Sequence, residues 1–144
     1  MLFRSVEGSG GKTGILGVTV LTSTGSDDIK NAGYDKKYHD NLQSLVIKKA
    51  KTAKAAGCAG VICSGLEVSD IKKECGQNFL AVTPGIRPAW TITDTDDQKR
   101  ITTPGQAIKN GSDYIVVGRP VRDAVNPVEA AQKISEEISL ALKK

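Results

Sequence analysis

The feature that most limits how this chain can fold is a set of four short apolar runs rich in β-branched residues. None of the runs alternates cleanly between apolar and polar residues. Continuous apolar runs of this length are typical of strands buried on both faces of a parallel sheet. Each run is followed by a segment with helical features, which predicts the order β-α-β-α-β-α-β-α. The four runs are Ile15–Thr22, Cys58–Cys63, Phe79–Thr83 and Tyr114–Gly118.

The first two helices are predicted from apolar spacing and a glycine stop. The first covers about Tyr38–Ala56 and the second about Leu66–Cys75. The apolar face of the first helix comprises Leu42, Leu45, Val46, Ala50 and Ala53. Its other faces carry Lys48, Lys49, Lys51 and Lys54, which a solvated surface explains better than a nucleic-acid-binding one.

The last two helices are predicted from their capping residues. Thr103 precedes a proline and is followed by Gln106 at the third helical position, which is the pattern of a capping box. Asn126 precedes a proline in the same way. The apolar stripe predicted for the last helix comprises Ala131, Ile134, Ile138 and Leu142.

Length and composition place the chain among single-domain globular proteins. The chain has 144 residues, a net charge of +4 and 39% hydrophobic residues, which excludes a disordered chain. We expect residues 1–13 to be a flexible lead and residues 14–144 to form one domain. The small positive charge favours ordinary solubility, so we expect neither a nucleic-acid nor a membrane partner. The odd number of cysteines, 3, indicates a reducing cytoplasmic environment.

Two other binding motifs are set aside. The run Gly10-Gly11-Lys12-Thr13 suggests a phosphate-binding loop, but Val6 stands where that motif needs glycine, and a strand follows where a helix is required. The three cysteines and His39 do not have the short spacings of a zinc site, so we expect no metal and no cofactor.

The best candidate for a ligand site lies after the third and fourth predicted strands. The loop from Pro84 to Thr103 is long enough to suggest a function. The fourth strand leads into Gly118 and Arg119, where the missing Cβ lets a ligand approach the backbone and the guanidinium can grip a phosphate with two bonds. Together with Arg87 and Gln98 of the long loop, these residues predict an anion-binding site.

Four runs in a fixed order resemble the C-terminal half of bacterial orotidine 5′-monophosphate (OMP) decarboxylases. The resemblance covers about residues 6–142, nearly the whole chain. The four runs are Val18-Thr19-Val20-Leu21-Thr22-Ser23, Val82-Thr83-Pro84-Gly85-Ile86-Arg87-Pro88, Asp96-Asp97-Gln98-Lys99-Arg100 and Gly111-Ser112-Asp113-Tyr114-Ile115-Val116-Val117-Gly118-Arg119-Pro120.

The resemblance implies an α/β fold, a (βα)4 half-barrel that corresponds to strands 5–8 of a TIM (β/α)8 barrel. It also implies that Arg87 and Gln98 lie in the phosphate loop and that Gly118 and Arg119 complete the grip on the 5′-phosphate. Thr22 would lie beside the pyrimidine. The family converts OMP to uridine 5′-monophosphate (UMP) and CO2 in pyrimidine synthesis, without a cofactor.

The resemblance also implies that the catalytic residues lie outside this chain. The family supplies an alternating Lys/Asp array, with an Asp-x-Lys-x-x-Asp run, from its N-terminal half. The nearest string here, Asp70–Cys75, lacks the last aspartate and lies on a predicted helix, where we interpret it as a solvated turn. We therefore expect the chain alone to bind phosphate or a UMP-type nucleotide without catalysis.

Four strands cannot close a barrel, which needs about eight strands and ~250 residues. The two open sheet edges predict that copies associate edge to edge, as a homodimer or a higher homo-oligomer. Two hypotheses stay open at this point. The chain is either the ligand-binding half of a decarboxylase or a non-catalytic, self-associating half-barrel.

Overall fold

Four parallel strands form one sheet in which neighbours in sequence are neighbours in space. The computed structural model describes residues 8, 10–91 and 99–143. A doubly wound sheet would reverse its strand order, whereas consecutive order is that of a barrel segment. The predicted parallel α/β fold is confirmed, although each strand is shorter than its apolar run. The strands are β1 (Leu16–Val18), β2 (Gly60–Ile62), β3 (Leu80–Thr83) and β4 (Tyr114–Ile115).

Seven α-helices lie within the described residues, and each predicted helix has a counterpart among them. The segments Ser26–Asn31 and Arg119–Arg122 form short helices that the sequence patterns did not predict. The helices are α1 (Ser26–Asn31), α2 (Lys36–Asp40), α3 (Leu42–Ala55), α4 (Val68–Cys75), α5 (Pro104–Lys109), α6 (Arg119–Arg122) and α7 (Pro127–Leu142). A single 3-10 turn covers Ala89–Thr91 in the loop after β3.

The predicted first helix is interrupted at Asn41. The backbone of Asn41 is extended rather than helical (φ −140°, ψ 86°), and its side chain accepts a hydrogen bond from the N–H of Ser44 at 3.1 Å. Asn41 therefore starts α3 as an N-cap, and the preceding residues form α2 separately.

The predicted caps of the last two helices are present. The Thr103 hydroxyl accepts from the N–H of Gln106 at 3.2 Å, and the Asn126 side chain accepts from the N–H of Glu129 at 3.2 Å. The reciprocal half of the capping box predicted at Thr103 is wrong, because the Gln106 amide donates to Asn110 Oδ1 at 2.7 Å instead.

Within the described residues, the helices that pack on the sheet cover only one of its faces. Val61 and Ala81 are fully buried against them, and a Cβ on Gly17 would lie 2.8 Å from the Ala53 side chain of α3. Leu45, Val46 and Ala50 of the predicted α3 face are buried. The main core also includes Val20, Ile29, Cys63, Val68, Ile71, Cys75 and Phe79.

The opposite face of the sheet carries an uncovered apolar row. Val18, Ile62, Val82 and Tyr114 are aligned across the four strands by the parallel register. Side chains alternate between the two faces of a strand, so these residues point away from the helices. Val18 is 55% and Tyr114 61% exposed. We call this row, with Val116 (52% exposed), the bare face.

The buried face of α7 differs by one position from the predicted stripe. Ala130, Ile134 and Ala141 are buried, whereas Ala131 and Leu142 are exposed. This face packs against α5, where the N–H of Gly105 donates to Glu137 Oε1 at 2.9 Å.

The interpretation of the Asp70–Cys75 string as a solvated turn is wrong for Lys72. This side chain is buried on α4, and its ammonium donates to the carbonyls of Gln77 and Phe79, each at 2.9 Å, and to Asp113 at 2.6 Å. These partners precede β3 and β4, so Lys72 lies at the amino ends of the strands. It connects the helix layer to the sheet there.

Most of the predicted N-terminal lead, residues 1–7 and 9, lies outside the described residues. Among the described residues, Gly10 and Gly11 have positive φ, and the next element is the strand β1. A phosphate-binding loop of the rejected type would be followed by a helix. No helix in the described part of the chain is both long and apolar enough to cross a membrane.

Candidate anion-binding site

The carboxyl ends of the strands and the segments that follow them line an open cavity of about 420 Å³. All four strands are parallel, so their carboxyl ends meet at one edge of the sheet, where ligands bind in folds of this class. The lining residues are Val18, Val20, Leu21, Thr22, Ser23, Ile62, Cys63, Pro84, Gly85, Arg87, Val116, Gly118, Arg119 and Arg122.

Four of the five predicted site residues line this single cavity. They are Thr22 after β1, Arg87 after β3, and Gly118 and Arg119 after β4. The fifth, Gln98, lies outside the described residues. The fold thus brings together three loops that are far apart in sequence.

The backbone around Gly85 sets the course of the Arg87 loop. Gly85 has φ +75°, and a Cβ there would lie 3.2 Å from both the Arg100 carbonyl oxygen and the Thr22 methyl group. Glycine is therefore favoured by conformation and by space. Two residues later, the N–H of Arg87 donates to the Thr102 carbonyl at 2.9 Å, and its Nη1 donates to the Ile86 carbonyl at 2.9 Å. These bonds hold a guanidinium that is only 6% exposed at the cavity wall.

Thr22 is held by backbone contacts from the far end of the same loop. Its carbonyl accepts from the N–H groups of Lys99 and Arg100, at 3.1 and 3.2 Å. The residue is 7% exposed. These bonds connect the β1 wall of the cavity to residues 99 and 100.

Gly118 and Arg119 form the wall that follows β4. Gly118 is exposed and has open space where a Cβ would stand. Packing within the protein therefore does not require glycine here, and its absence of a side chain leaves the backbone approachable. Arg119 is half-buried beside it.

The cavity lining combines cationic and apolar side chains. Arg87, Arg119 and Arg122 contribute three guanidinium groups, and none of the described lining residues is acidic. Arg122 is paired with Asp123, at 2.6 Å between Nε and Oδ1. Val18, Ile62 and Val116 supply apolar surface. The arrangement suits an anion attached to a flat or apolar group.

Sequence reasoning missed three features of this region. Cys63, considered in the sequence only as a possible zinc ligand, lines the cavity, and burial together with the Glu67 carboxylate raises the pKa of its thiol to about 12. Arg122 lies one helical turn after Arg119, a spacing that could have identified it. A buried ion pair between Glu67 and Arg100 lies behind the wall, and no local spacing connects these residues.

The remaining candidates lie elsewhere. No group of three or more His, Cys, Asp or Glu residues that could hold a metal occurs among the described residues. His39 is on α2, beside Asp40. Trp90 is half-exposed in the 3-10 turn and does not belong to the described cavity wall.

Comparison with known proteins identifies the family. A family model described as Orotidine 5′-phosphate decarboxylase / HUMPS family matches residues 3–134. The chain belongs to this family. It is 53% identical to the orotidine 5′-phosphate decarboxylase of Desulfosudis oleivorans over 99% of this chain and 57% of that protein. It is 44% identical to the enzyme of Geobacter sp. (strain M21) over 95% of this chain and 55% of that protein.

Solved structures of the family match the fold over a similar share. The crystal structure of the decarboxylase from Lactobacillus acidophilus aligns with a TM-score of 0.67 at 40% identity, covering 85% of this chain and 48% of that one. The decarboxylase from Sulfolobus solfataricus, at 17% identity and a TM-score of 0.60, shares the fold. The chain thus spans about half the length of the orotidine 5′-phosphate decarboxylases it matches.

Proposed function

We propose that this chain is the phosphate- and pyrimidine-binding half of an orotidine 5′-monophosphate decarboxylase, corresponding to strands 5–8 of the barrel. Thr22, Arg87, Gly118 and Arg119 hold the nucleotide, with Gln98 as a fifth ligand. The observation that carries the proposal is the convergence of the first four on one cavity at the carboxyl ends of the strands.

The composition of the cavity supports a binding role without catalysis. Decarboxylation at a pyrimidine carbon needs a cation that can donate a proton to the developing carbanion. The cations among the described lining residues are arginines, which keep their protons near neutral pH. Lys72 is at the amino ends of the strands, at the other edge of the sheet from the cavity. We infer that the chain alone does not turn over OMP and that no cofactor is involved.

A binding experiment tests the ligand assignment. Titration calorimetry of the full chain with UMP is expected to show a weak site that Arg87→Ala and Arg119→Ala each remove. Lys109→Ala is the matched control, because it removes one cation from an exposed position on α5 outside the cavity. The absence of heat at millimolar UMP would refute the assignment.

An activity assay tests the absence of catalysis. OMP incubated with the purified chain is expected to persist at the rate seen in buffer. Turnover by the wild-type chain that disappears in Arg119→Ala would show that the chain is an enzyme by itself.

The bare face favours a second candidate, a self-associating half-barrel. Its exposed Val18, Tyr114 and Val116 form an apolar surface, and monomeric proteins rarely leave such a surface of a parallel sheet uncovered. Val18 and Val116 also line the cavity, so whatever covers the bare face completes the opposite wall. A second copy could cover the bare face if its β4 edge paired with the β1 edge of the first copy and its β1 edge with the β4 edge. Such a dimer would have twofold symmetry.

The cytoplasm is the expected location under either candidate. Cys63 and Cys75 are buried as free thiols and Cys58 is half-buried, an arrangement suited to a reducing compartment.

A further inference from the structure

We propose that the buried ion pair between Arg100 and Glu67 positions the β1 wall of the cavity for the base of a bound nucleotide. This inference rests on the proposed nucleotide-binding function and assigns a role to two residues that do not line the cavity. Arg100 and Glu67 act on the ligand only through the wall that they hold.

The Arg100 side chain connects three parts of the fold. Its Nη1 contacts Glu67 Oε1 at the start of α4, and its Nη2 donates to the carbonyls of Val20 and Leu21, each at 2.8 Å. The side chains of Arg100 and Glu67 are only 11% and 6% exposed. The guanidinium therefore fixes the end of the β1 run against the helix that follows β2.

A second set of contacts closes this arrangement into a ring. Glu67 Oε2 accepts from the N–H of Ser64 at 2.9 Å, and the Ser64 hydroxyl donates to the Arg100 carbonyl at 3.2 Å. Both oxygens of the carboxylate are thus engaged, one by the guanidinium and one by the backbone after β2. The geometry leaves Arg100 little freedom to move.

The main chain of Arg100 binds the same wall as its side chain. Its N–H donates to the Thr22 carbonyl at 3.2 Å, next to the bond from Lys99. Val20, Leu21 and Thr22 all line the cavity. Arg100 thus contacts three consecutive residues of one wall, whereas Arg119 and Gly118 on the opposite side do not contact it within the described hydrogen bonds.

The energetics favour positioning over simple stabilisation. Burial raises the pKa of Glu67 against the opposing effect of the Arg100 charge, so desolvation offsets much of the attraction within the pair. A planar guanidinium can satisfy a carboxylate and two carbonyls together, whereas a lysine ammonium is a point charge without that fixed fork. The arrangement therefore uses the geometry of arginine and not only its charge.

Arg100→Lys tests the proposal, because it keeps the positive charge and loses the planar arrangement of N–H donors. We expect the affinity for UMP to fall about tenfold while the affinity for ribose 5-phosphate changes by less than about twofold, since the phosphate grip is on other loops. Lys51→Met is the control, because it breaks only an exposed ion pair with Glu74, and neither residue lines the cavity. The control is expected to leave both affinities unchanged. An equal loss for both ligands, or no loss for either, would overturn the proposal.

Amide hydrogen exchange tests the positioning role without a ligand. In Arg100→Lys, exchange within residues 19–24 is expected to accelerate, while exchange within α7 stays unchanged. The isosteric Glu67→Gln keeps the size of the side chain but only one acceptor oxygen, so it loses the contact with either Arg100 Nη1 or the Ser64 N–H. It is expected to accelerate exchange within the same residues, which covers the case in which Arg100→Lys does not fold. Unchanged exchange in both variants would refute the positioning role. If the wild-type chain binds neither UMP nor ribose 5-phosphate, the proposed function is refuted. The hydrogen-exchange measurement still tests whether Arg100 and Glu67 position the β1 wall.

Discussion

The three cysteines show how differently one residue type behaves at three positions of this fold. Cys63 is 1% exposed, and its thiol pKa is raised to about 12 by burial and by Glu67. Cys75 is 2% exposed, and burial raises the pKa of its thiol as well. Cys58 is half-buried in the segment between α3 and β2. Two of the three thiols are therefore in the interior, and one is partly accessible to solvent.

Alkylation should therefore select Cys58 in the native protein. At pH 8 a thiol of pKa about 12 is ionised in only about one molecule in ten thousand, and the thiolate is the reacting species. Iodoacetamide treatment followed by peptide mass spectrometry is expected to modify Cys58 and to leave Cys63 and Cys75 unmodified. Denaturant should make all three react. Rapid native labelling of Cys63 would contradict the described burial.

At the scale of single residues, sequence reasoning succeeded where a residue type suits few other roles. Gly118 and Arg119 were chosen because glycine and arginine favour close approach and phosphate recognition, and both line the cavity. The prediction that Lys72 is solvent-exposed is wrong. The groups that compensate for the burial of its ammonium are the carbonyls of Gln77 and Phe79 and the carboxylate of Asp113, which is distant in sequence. Periodicity cannot reveal such long-range partners.

At the scale of elements, the contact between α4 and the sheet depends on Lys72 and Asp113. Asp113 also accepts from the N–H of Ala81 in β3 at 2.7 Å, so one carboxylate joins the helix, β3 and the start of β4.

The limits of the helices could be predicted from the sequence only where a local pattern marks them. Thr103 and Asn126 were found from local capping patterns, whereas the break at Asn41 was hidden within a continuous helical pattern.

Asp113→Ala is expected to lower the free energy of unfolding by about 2 kcal/mol, because it leaves the buried Lys72 ammonium without its charged partner. The value lies below that for fully buried pairs because the Asp113 side chain is 31% exposed. Urea denaturation followed by circular dichroism measures the change. Asp40→Ala, which breaks the exposed pair with Lys36, is the control and is expected to leave the midpoint unchanged. Equal midpoints for the two variants would show that the Lys72 contact contributes little.

At the scale of the whole molecule, the fold class followed from the sequence because four apolar runs and four helical segments admit few arrangements. The consecutive strand order could be expected only from the family resemblance, since apolar runs alone also allow a doubly wound sheet. The bare face is also a consequence of this consecutive strand order. A barrel interior needs strands on its far side, and the described chain supplies four.

Self-association through the bare face predicts a dimer in solution. Size-exclusion chromatography with light scattering is expected to give twice the chain mass of 15.2 kDa. Tyr114→Glu places a charge on the bare face outside the cavity and should shift the mass toward the monomer. Val125→Glu adds the same charge at a fully exposed apolar residue before α7 and should change nothing. A wild-type chain that is monodisperse as a monomer would refute the association.

The consecutive strand order has a further consequence for how this protein can vary. Each wall of the cavity comes from one contiguous stretch of chain that begins where a strand ends, and neighbouring stretches are joined by their own helix. A change in the stretch after β4 therefore reshapes one side of the cavity, whereas a change at residues 99 and 100, after β3, also alters the β1 side that they hold. The side that follows β4 is thus the one that can vary most independently.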